Sequence, residues 1–423
     1  MSPATPFDVV LYGATGFTGS LTAQYLAVHP QAPKVAFAGR NLEKLRNVRD
    51  KLTNVSKERL ESIELIEASA SDYASLQRLA ASAKVVINMV GPYGQLGGFE
   101  VAKAAAEAGK GYVDLTGESD VFEHIAKDLH AVAKQTKAVL VPSSGFDSMP
   151  FDLSTYFAVQ EVKKIMGPAA DVDHVVCGYL VKGTMSGGTL ASAVSMRDHP
   201  DALKYNKPYL FSPVQGSLVP KVAFSRWLPQ FNKYGSFSLF TPHNTRVVSR
   251  TWGLLEEARL PVRYGSTFRY LEGFVAPSKF AAIAASTIFQ ILAWLIFQFA
   301  FVGNFLKKLV PQGTGGSMEK QLQGFANVRT VAYGRDGKTQ GLSVFRVKGD
   351  PGYLKTAAFI SETALTLALE KERLSPLAQQ GGVLTTASIG AEALADRLGK
   401  YAGVTIESAN ITGSADPSAV LKQ

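Results

Sequence analysis

Short apolar runs, each closed by glycine or polar residues and followed by a helical pattern, recur through the first 150 positions. The first, FDVVLY (7–12), is short, apolar and β-branched, as expected of a strand buried on both faces. Gly13, Gly16 and Gly19 follow it, and residues 20–27 read as a helix. Further strands are predicted in KVAFAGR (34–40), ESIELIEASA (61–70), AKVVINMV (83–90), GYVDLTGE (111–118) and KAVLVPSSGFDS (137–148). Strand and helix alternating this regularly predict an α/β fold whose amino-terminal part is a Rossmann-type, doubly wound parallel sheet.

After Pro150 the pattern changes. DVDHVVCGYLVKG (171–183) is strand-like, SGGTLASAVSM (186–196) reads as a helix, and residues 327–349 read as a hairpin closed by Asp336-Gly337. This predicts an inserted α+β unit on the substrate side. GGVLTTASIGAEALADRL (381–398) reads as a glycine turn and an amphipathic helix returning to the first unit. The expected division is 1–148, 149–380 and 381–423.

One stretch departs from both patterns. Residues 280–306 contain no charged side chain over 27 positions, with Lys279 before them and Lys307 and Lys308 after. A helix crosses a bilayer in ~20 residues. Three readings stand: a span, an insertion in one leaflet, or a buried or dimer-facing helix. A span would separate the carboxyl-terminal helix from the nucleotide fold it is expected to join. The single-leaflet insertion is therefore preferred, with lysines at the interface.

A strand, a glycine turn and a helix start make a phosphate site. Missing side chains let the backbone approach a pyrophosphate, and free N–H groups with the helix dipole favour its charge. Gly13, Thr15, Gly16, Phe17, Thr18 and Gly19 are the candidates here. About twenty residues on, where an NAD-binding fold has an acid for the ribose 2′-hydroxyl, this chain has Arg40 and Asn41. A cation suits a 2′-phosphate, so NADP(H) is expected over NAD(H). Asp72, before a helix, is expected near the adenine or as a helix cap. Gly91 and Pro92, after the fourth strand, sit where open α/β sheets bind ligands.

Candidates for moving a proton lie at predicted strand ends: Tyr93 and Asp147 first, then Asp114 and Glu118. No tyrosine has a lysine four positions on, and neither HExxH nor GxSxG occurs. The six histidines show no metal-ligand spacing, so no metal is expected. Cys177 is the only cysteine, which rules out an internal disulfide. The net charge of +9 is dispersed, favouring phosphates or acidic lipid surfaces over nucleic acid. The amino terminus has no basic and apolar leader, so secretion is not expected.

GATGFTG, AGRN, GPYGQLG, YVDLTGE, GFDSMPFDL, GDPGYLKTAAFISETALTLA and GGVLTTAS together resemble the saccharopine dehydrogenase-like oxidoreductase family, including the trans-acting enoyl reductases. The resemblance runs along nearly the whole chain. It implies an amino-terminal Rossmann domain, a nicotinamide cofactor and often lipid-linked function. Taken with Arg40 and the apolar stretch, the expected function is an NADPH-dependent reductase acting on a hydrophobic, lipid-derived C=C or C=O group at a membrane or lipid-droplet surface facing the cytosol, with a homodimer as one arrangement. The alternatives are a non-catalytic NADP(H)-binding lipid-droplet protein and a saccharopine reductase-like amino-acid enzyme. Against the last, no Arg cluster marks the middle of the chain for a multiply charged substrate.

Overall fold

A computed structural model describes residues 6–184, 207–216, 224–238, 240–299, 301–303, 305 and 316–421. The expected helix at 186–196 lies outside these residues, as do positions 300, 304 and 306 of the apolar stretch.

Strands β1 (Phe7–Tyr12), β2 (Val35–Gly39), β3 (Glu64–Glu67), β4 (Ala83–Asn88), β5 (Gly111–Asp114) and β6 (Val139–Val141) form a parallel sheet in the order 3-2-1-4-5-6. Helices α1 (Phe17–Ala27), α2 (Leu42–Asp50), α3 (Lys57–Glu61), α4 (Tyr73–Ser82), α5 (Gly98–Glu107) and α6 (Ser119–Thr136) connect them. In β1, Val9 and Leu11 enter one core cluster, while Phe7, Val10 and Tyr12 enter another. Both faces of the sheet are covered, which is why its strands read as unbroken apolar runs.

Helix α7 (Met149–Met166) leads to a second, mixed sheet. Its strands are β7 (Val172–Lys182), β8 (Arg226–Leu228), β9 (Lys233–Ser236), β10 (Tyr270–Ala276), β11 (Phe325–Gly334) and β12 (Gln340–Lys348). Among the described residues of this sheet, only β7 and β10 pair in parallel. The β11–β12 hairpin closes where expected. Asp336 accepts from the backbone of Lys338 and Thr339, and Gly337 supplies φ +70°. Helices α8 (Thr241–Glu257), α9 (Lys279–Gln298) and α10 (Met318–Leu322) complete this part.

The end of the chain serves both sheets. Helix α11 (Thr356–Leu369) packs on β1, β4 and β5 of the first sheet and against α1. It falls within the stretch expected to form the second unit, and its placement corrects that boundary. Because it is buried on all sides from Thr356 to Ala368, it offers no polar face from which a docking partner can be read. After α12 (Pro376–Gln380), β13 (Gly382–Val383) pairs with β6 as the seventh strand of the first sheet. After α13 (Ala391–Ala402), β14 (Val404–Asn410) pairs with β12 in the second. The final segment thus returns to the nucleotide sheet only in part.

Helix α9 stands apart. Its Ser286 hydroxyl donates to Phe224 O at 2.6 Å and accepts from Phe237 N at 2.8 Å, fixing one face to the second sheet. Elsewhere large apolar side chains face outward, with Phe280 81%, Ile288 63% and Trp294 55% exposed.

Candidate functional site

The three glycines after β1 do different work. Gly13 has φ +91°, and a Cβ there would meet Val90 Cγ2 at 2.7 Å, so it serves the tight turn beside β4. At Gly19 a Cβ would stand 2.2 Å from Gly13 O, so glycine is needed for α1 to approach the turn. Gly16 is different: its Cβ would meet nothing nearer than Gly13 O at 3.6 Å. The protein itself leaves that space open. Gly16 caps α1 with no side-chain hydrogen bond, and the first turn holds no acid. The turn therefore fits a pyrophosphate, with Thr15 and Gly16 exposed at its rim. The Phe17 ring meets Tyr353 edge-on at 5.5 Å.

At the end of β2, Arg40 is exposed and makes no ion pair among the described residues. Asn41 accepts from Lys44 N at 2.8 Å and caps α2. Asp72 accepts from Ser75 N at 3.3 Å and caps α4. Asp72 thus caps α4, and Arg40 is a charged group at the end of β2.

The loop after β4 is tied down from below. Both oxygens of Glu118 accept from its backbone, from Tyr93 N at 2.9 Å and Gly94 N at 3.0 Å. The Tyr93 hydroxyl donates to Asn88 O and accepts from Leu115 N, each at 3.1 Å. Burial pushes its pKa well up, with the Asp114 charge adding to the effect. A buried phenol with both bonding directions spent anchors the loop carrying Gly91 and Pro92. This replaces the expectation that Tyr93 faces a reacting centre. Asp114 is likewise committed, accepting from Tyr112 OH, Thr116 N and Ser143 N.

Asp147 differs from these. It lies half-buried between β6 and α7. Burial alone pushes its pKa up to about 6. Among the described residues, no hydrogen bond or ion pair engages its carboxylate. A carboxyl group whose pKa burial raises toward neutrality, and which has no internal partner among the described residues, is suited to proton transfer.

Opposite this loop, the second unit contributes groups that sequence spacing does not bring together. His243, in the first turns of α8, joins Ser119 Oγ and Ser143 Oγ, each at 2.9 Å. Burial lowers its pKa to about 3, so it is neutral. Asn244 accepts from Ser148 Oγ at 3.2 Å and donates to Glu272 at 3.0 Å. Glu272 also accepts from Thr241 Oγ1 at 3.1 Å and Tyr270 OH at 2.9 Å. Burial raises its pKa to about 7. The start of α8 is thereby held against the carboxyl ends of β5 and β6, where ligands bind in such sheets.

Residues 9–141 match the family model of the saccharopine dehydrogenase NADP binding domain, and the cofactor is NADP(H). Over nearly the whole chain, a Mycobacterium leprae protein named trans-acting enoyl reductase is 33% identical, covering 96% of this chain and 99% of its own. A Mycobacterium ulcerans protein of that name is 32% identical, covering 93% and 95%. A Mycobacterium tuberculosis relative reaches 34% identity, covering 96% and 99%. An apo saccharopine dehydrogenase (L-Glu forming) from Saccharomyces cerevisiae shares the fold, with TM-score 0.52 at 13% identity, covering 96% of this chain and 100% of that one. With a relative this similar from end to end, the chain belongs to the trans-acting enoyl reductase family within the saccharopine dehydrogenase-like oxidoreductases.

Proposed function

We propose that this NADPH-dependent reductase acts on a C=C bond conjugated to a carbonyl in a hydrophobic, lipid-derived substrate. The names of the relatives support the reaction class, and the unpartnered Asp147 carboxyl carries the reading. The backbone from Thr15 to Gly19 would hold the pyrophosphate, and Arg40 the 2′-phosphate. When bound, NADPH supplies hydride. Asp147 donates the proton from its carboxyl group to the substrate carbon next to the carbonyl. Tyr93, Glu118 and Asp114 keep the surrounding loops in place, and the start of α8 covers the strand ends and keeps water out.

The test uses a medium-chain 2-enoyl thioester and follows NADPH consumption. Asp147→Asn should lower kcat by about 10²–10⁴-fold while leaving NADPH affinity unchanged. Turnover of ketones alone, or full activity in Asp147→Asn, would overturn this assignment.

The setting proposed for this chemistry is a membrane or lipid-droplet surface. The support is the exposed apolar face of α9, with Phe280, Ile288 and Trp294 outward, the uncharged stretch of sequence, and its flanking lysines. A substrate entering from lipid would avoid exposing its chain to water, which costs ~0.8 kcal/mol per CH₂. Changing Phe280, Ile288 and Trp294 together to serine should move the protein from vesicle-bound to free in flotation with anionic phospholipid vesicles. No flotation of the unchanged protein, or a dimer that the triple change dissolves, would make this face a contact between copies instead.

A further inference from the structure

Hydride and proton must reach neighbouring carbons of one substrate, so Asp147 has to stand at a fixed place relative to the cofactor. One short segment touches the surroundings of both. After β12 the chain makes a single π-helical turn, Pro351–Lys355, and runs directly into α11. Such turns are rare and gather at functional sites. On one side the Tyr353 ring meets Phe17, the first residue of α1 after the glycine turn, edge-on at 5.5 Å. On the other side the Thr356 hydroxyl donates to Pro351 O at 2.9 Å and accepts from Phe146 N at 3.0 Å. Phe146 directly precedes Asp147 in the chain.

The turn itself is firmly held. Asp350 is fully buried. One of its carboxylate oxygens accepts from Gly352 N at 2.8 Å and Tyr353 N at 3.2 Å. The other accepts from Thr184 N at 2.8 Å and from the Thr184 hydroxyl, which ties the turn to the chain just beyond β7. Tyr353 and Thr356 are buried as well. The fit against the Asp147 loop is close: a Cβ at Gly145 would come within 3.2 Å of Thr356 Cγ2 and 2.9 Å of Leu115 Cδ2. A buried amide needs a partner, and for Phe146 N the Thr356 hydroxyl supplies it. From the opposite side, Ser148 donates to Asn244 on α8. The loop thus has one anchor in the second unit and another, Thr356, at the head of the helix packed on the nucleotide sheet.

Resting on the reductase reading, we propose that Thr356 is the positioning residue for Asp147, and that the Asp350–Thr356 turn sets the place of that acid relative to the glycine turn. Thr356 acts through the Phe146 amide, which fixes where the next residue's carboxyl group lies. The proton from Asp147 adds to the carbon next to the carbonyl, using the electron pair released there as hydride adds to the neighbouring carbon. The carboxylate left behind takes its proton back from solvent.

The experiment compares wild type, Thr356→Val, Thr356→Ser and Tyr353→Leu in the full-length chain, with melting temperatures recorded so that turnover is read well below unfolding. The 2-enoyl thioester is reduced by NADPH in deuterium oxide. Wild type should place deuterium on one face of the carbon next to the carbonyl. Thr356→Val keeps the shape of the side chain but loses both hydrogen bonds. Its kcat should fall by about 10- to 100-fold, as for a reacting group displaced by ~1 Å, with KM for NADPH unchanged. The label should spread over both faces, because solvent replaces Asp147 as donor. Thr356→Ser keeps the hydroxyl and should restore both kcat and the single face. Tyr353→Leu cuts the link at Phe17 and should also spread the label. One-face labelling at wild-type kcat in Thr356→Val would overturn the proposal, and so would Thr356→Ser no better than Thr356→Val. The same wild-type behaviour in Tyr353→Leu would overturn it even if Thr356→Val did not fold. A raised KM for NADPH at unchanged kcat would place Thr356 with the cofactor instead.

Hydrogen exchange supplies a readout independent of turnover. NADP+ should slow exchange in residues 143–149 of wild type several-fold. That protection should be lost in Thr356→Val and Tyr353→Leu, although both still bind NADP+. Protection unchanged in these variants would overturn the link between turn and loop. Wild type that shows the protection yet turns over no thioester would support the link and count against the reductase reading.

Discussion

Replacing Gly16 with alanine separates binding of the cofactor from stability of the fold. Gly16 has φ −74° and ψ 167°, a conformation alanine adopts without strain. Its added methyl would find no protein atom within 3.6 Å. Stability should stay the same or rise by up to about 1 kcal/mol, through a less free unfolded chain. The methyl would occupy the space left for the pyrophosphate. Losing one hydrogen bond to a charged group there costs ~1.5–3 kcal/mol, or roughly tenfold to a hundredfold in the NADPH dissociation constant. Gly19→Ala is the control. Its methyl would sit 2.2 Å from Gly13 O, and such overpacking costs about 1–3 kcal/mol in stability. Thermal melts and NADPH fluorescence titration measure both quantities. If Gly16→Ala bound NADPH like wild type, or unfolded as readily as Gly19→Ala, the division of labour among these glycines would be wrong.

Arg40→Asp should erase or reverse the preference for NADPH over NADH, seen as converging dissociation constants; an unchanged ratio would remove Arg40 as selector. The folded-state pKa of Asp147 is raised, so its contribution to stability is complete below the unfolded value near 3.8 and is lost as pH rises through about 6. Asp147→Asn should therefore flatten the decline in melting temperature across that window. His243 has the opposite sign: its folded pKa is lowered to about 3, so its stabilising effect is present above about 6.5 and is lost as pH falls. His243→Asn should make melting less sensitive to acid over that range.

The cofactor half of the site was legible because its signals are local. One strand, three glycines and the next strand's end fall within about thirty residues, and their spacing carries the geometry. Asp147 was singled out for the same reason, as a polar residue at a predicted strand end, and its role in proton transfer is the proposal made above. Tyr93 looked equivalent, and nothing in GPYGQLG says that Glu118 and Leu115 engage that loop and phenol from beneath. Glu272, His243 and Thr241 were not legible at all. They reach the cleft from β10 and α8, and only the packing of the second sheet brings them there. The uniformly buried α11, whose polar residues Ser361, Glu362, Thr363 and Thr366 are buried with the rest, and the two-residue β13 lack an exposed polar face that could assign them to the first sheet.

The path of the last seventy residues has a consequence for biosynthesis. The nucleotide sheet cannot cover one face until α11 has been made, and it gains its edge strand only with β13. During translation, the glycine turn would emerge hundreds of residues before its supporting core is complete. A fragment ending near residue 148 should therefore collect as aggregate, exposing the apolar surface that α11 covers in the whole chain. Contacts this distant along the sequence also slow folding, since long loops must close before they are rewarded. An enzyme assembled this way acquires its cofactor late, once both ends of the polypeptide have met.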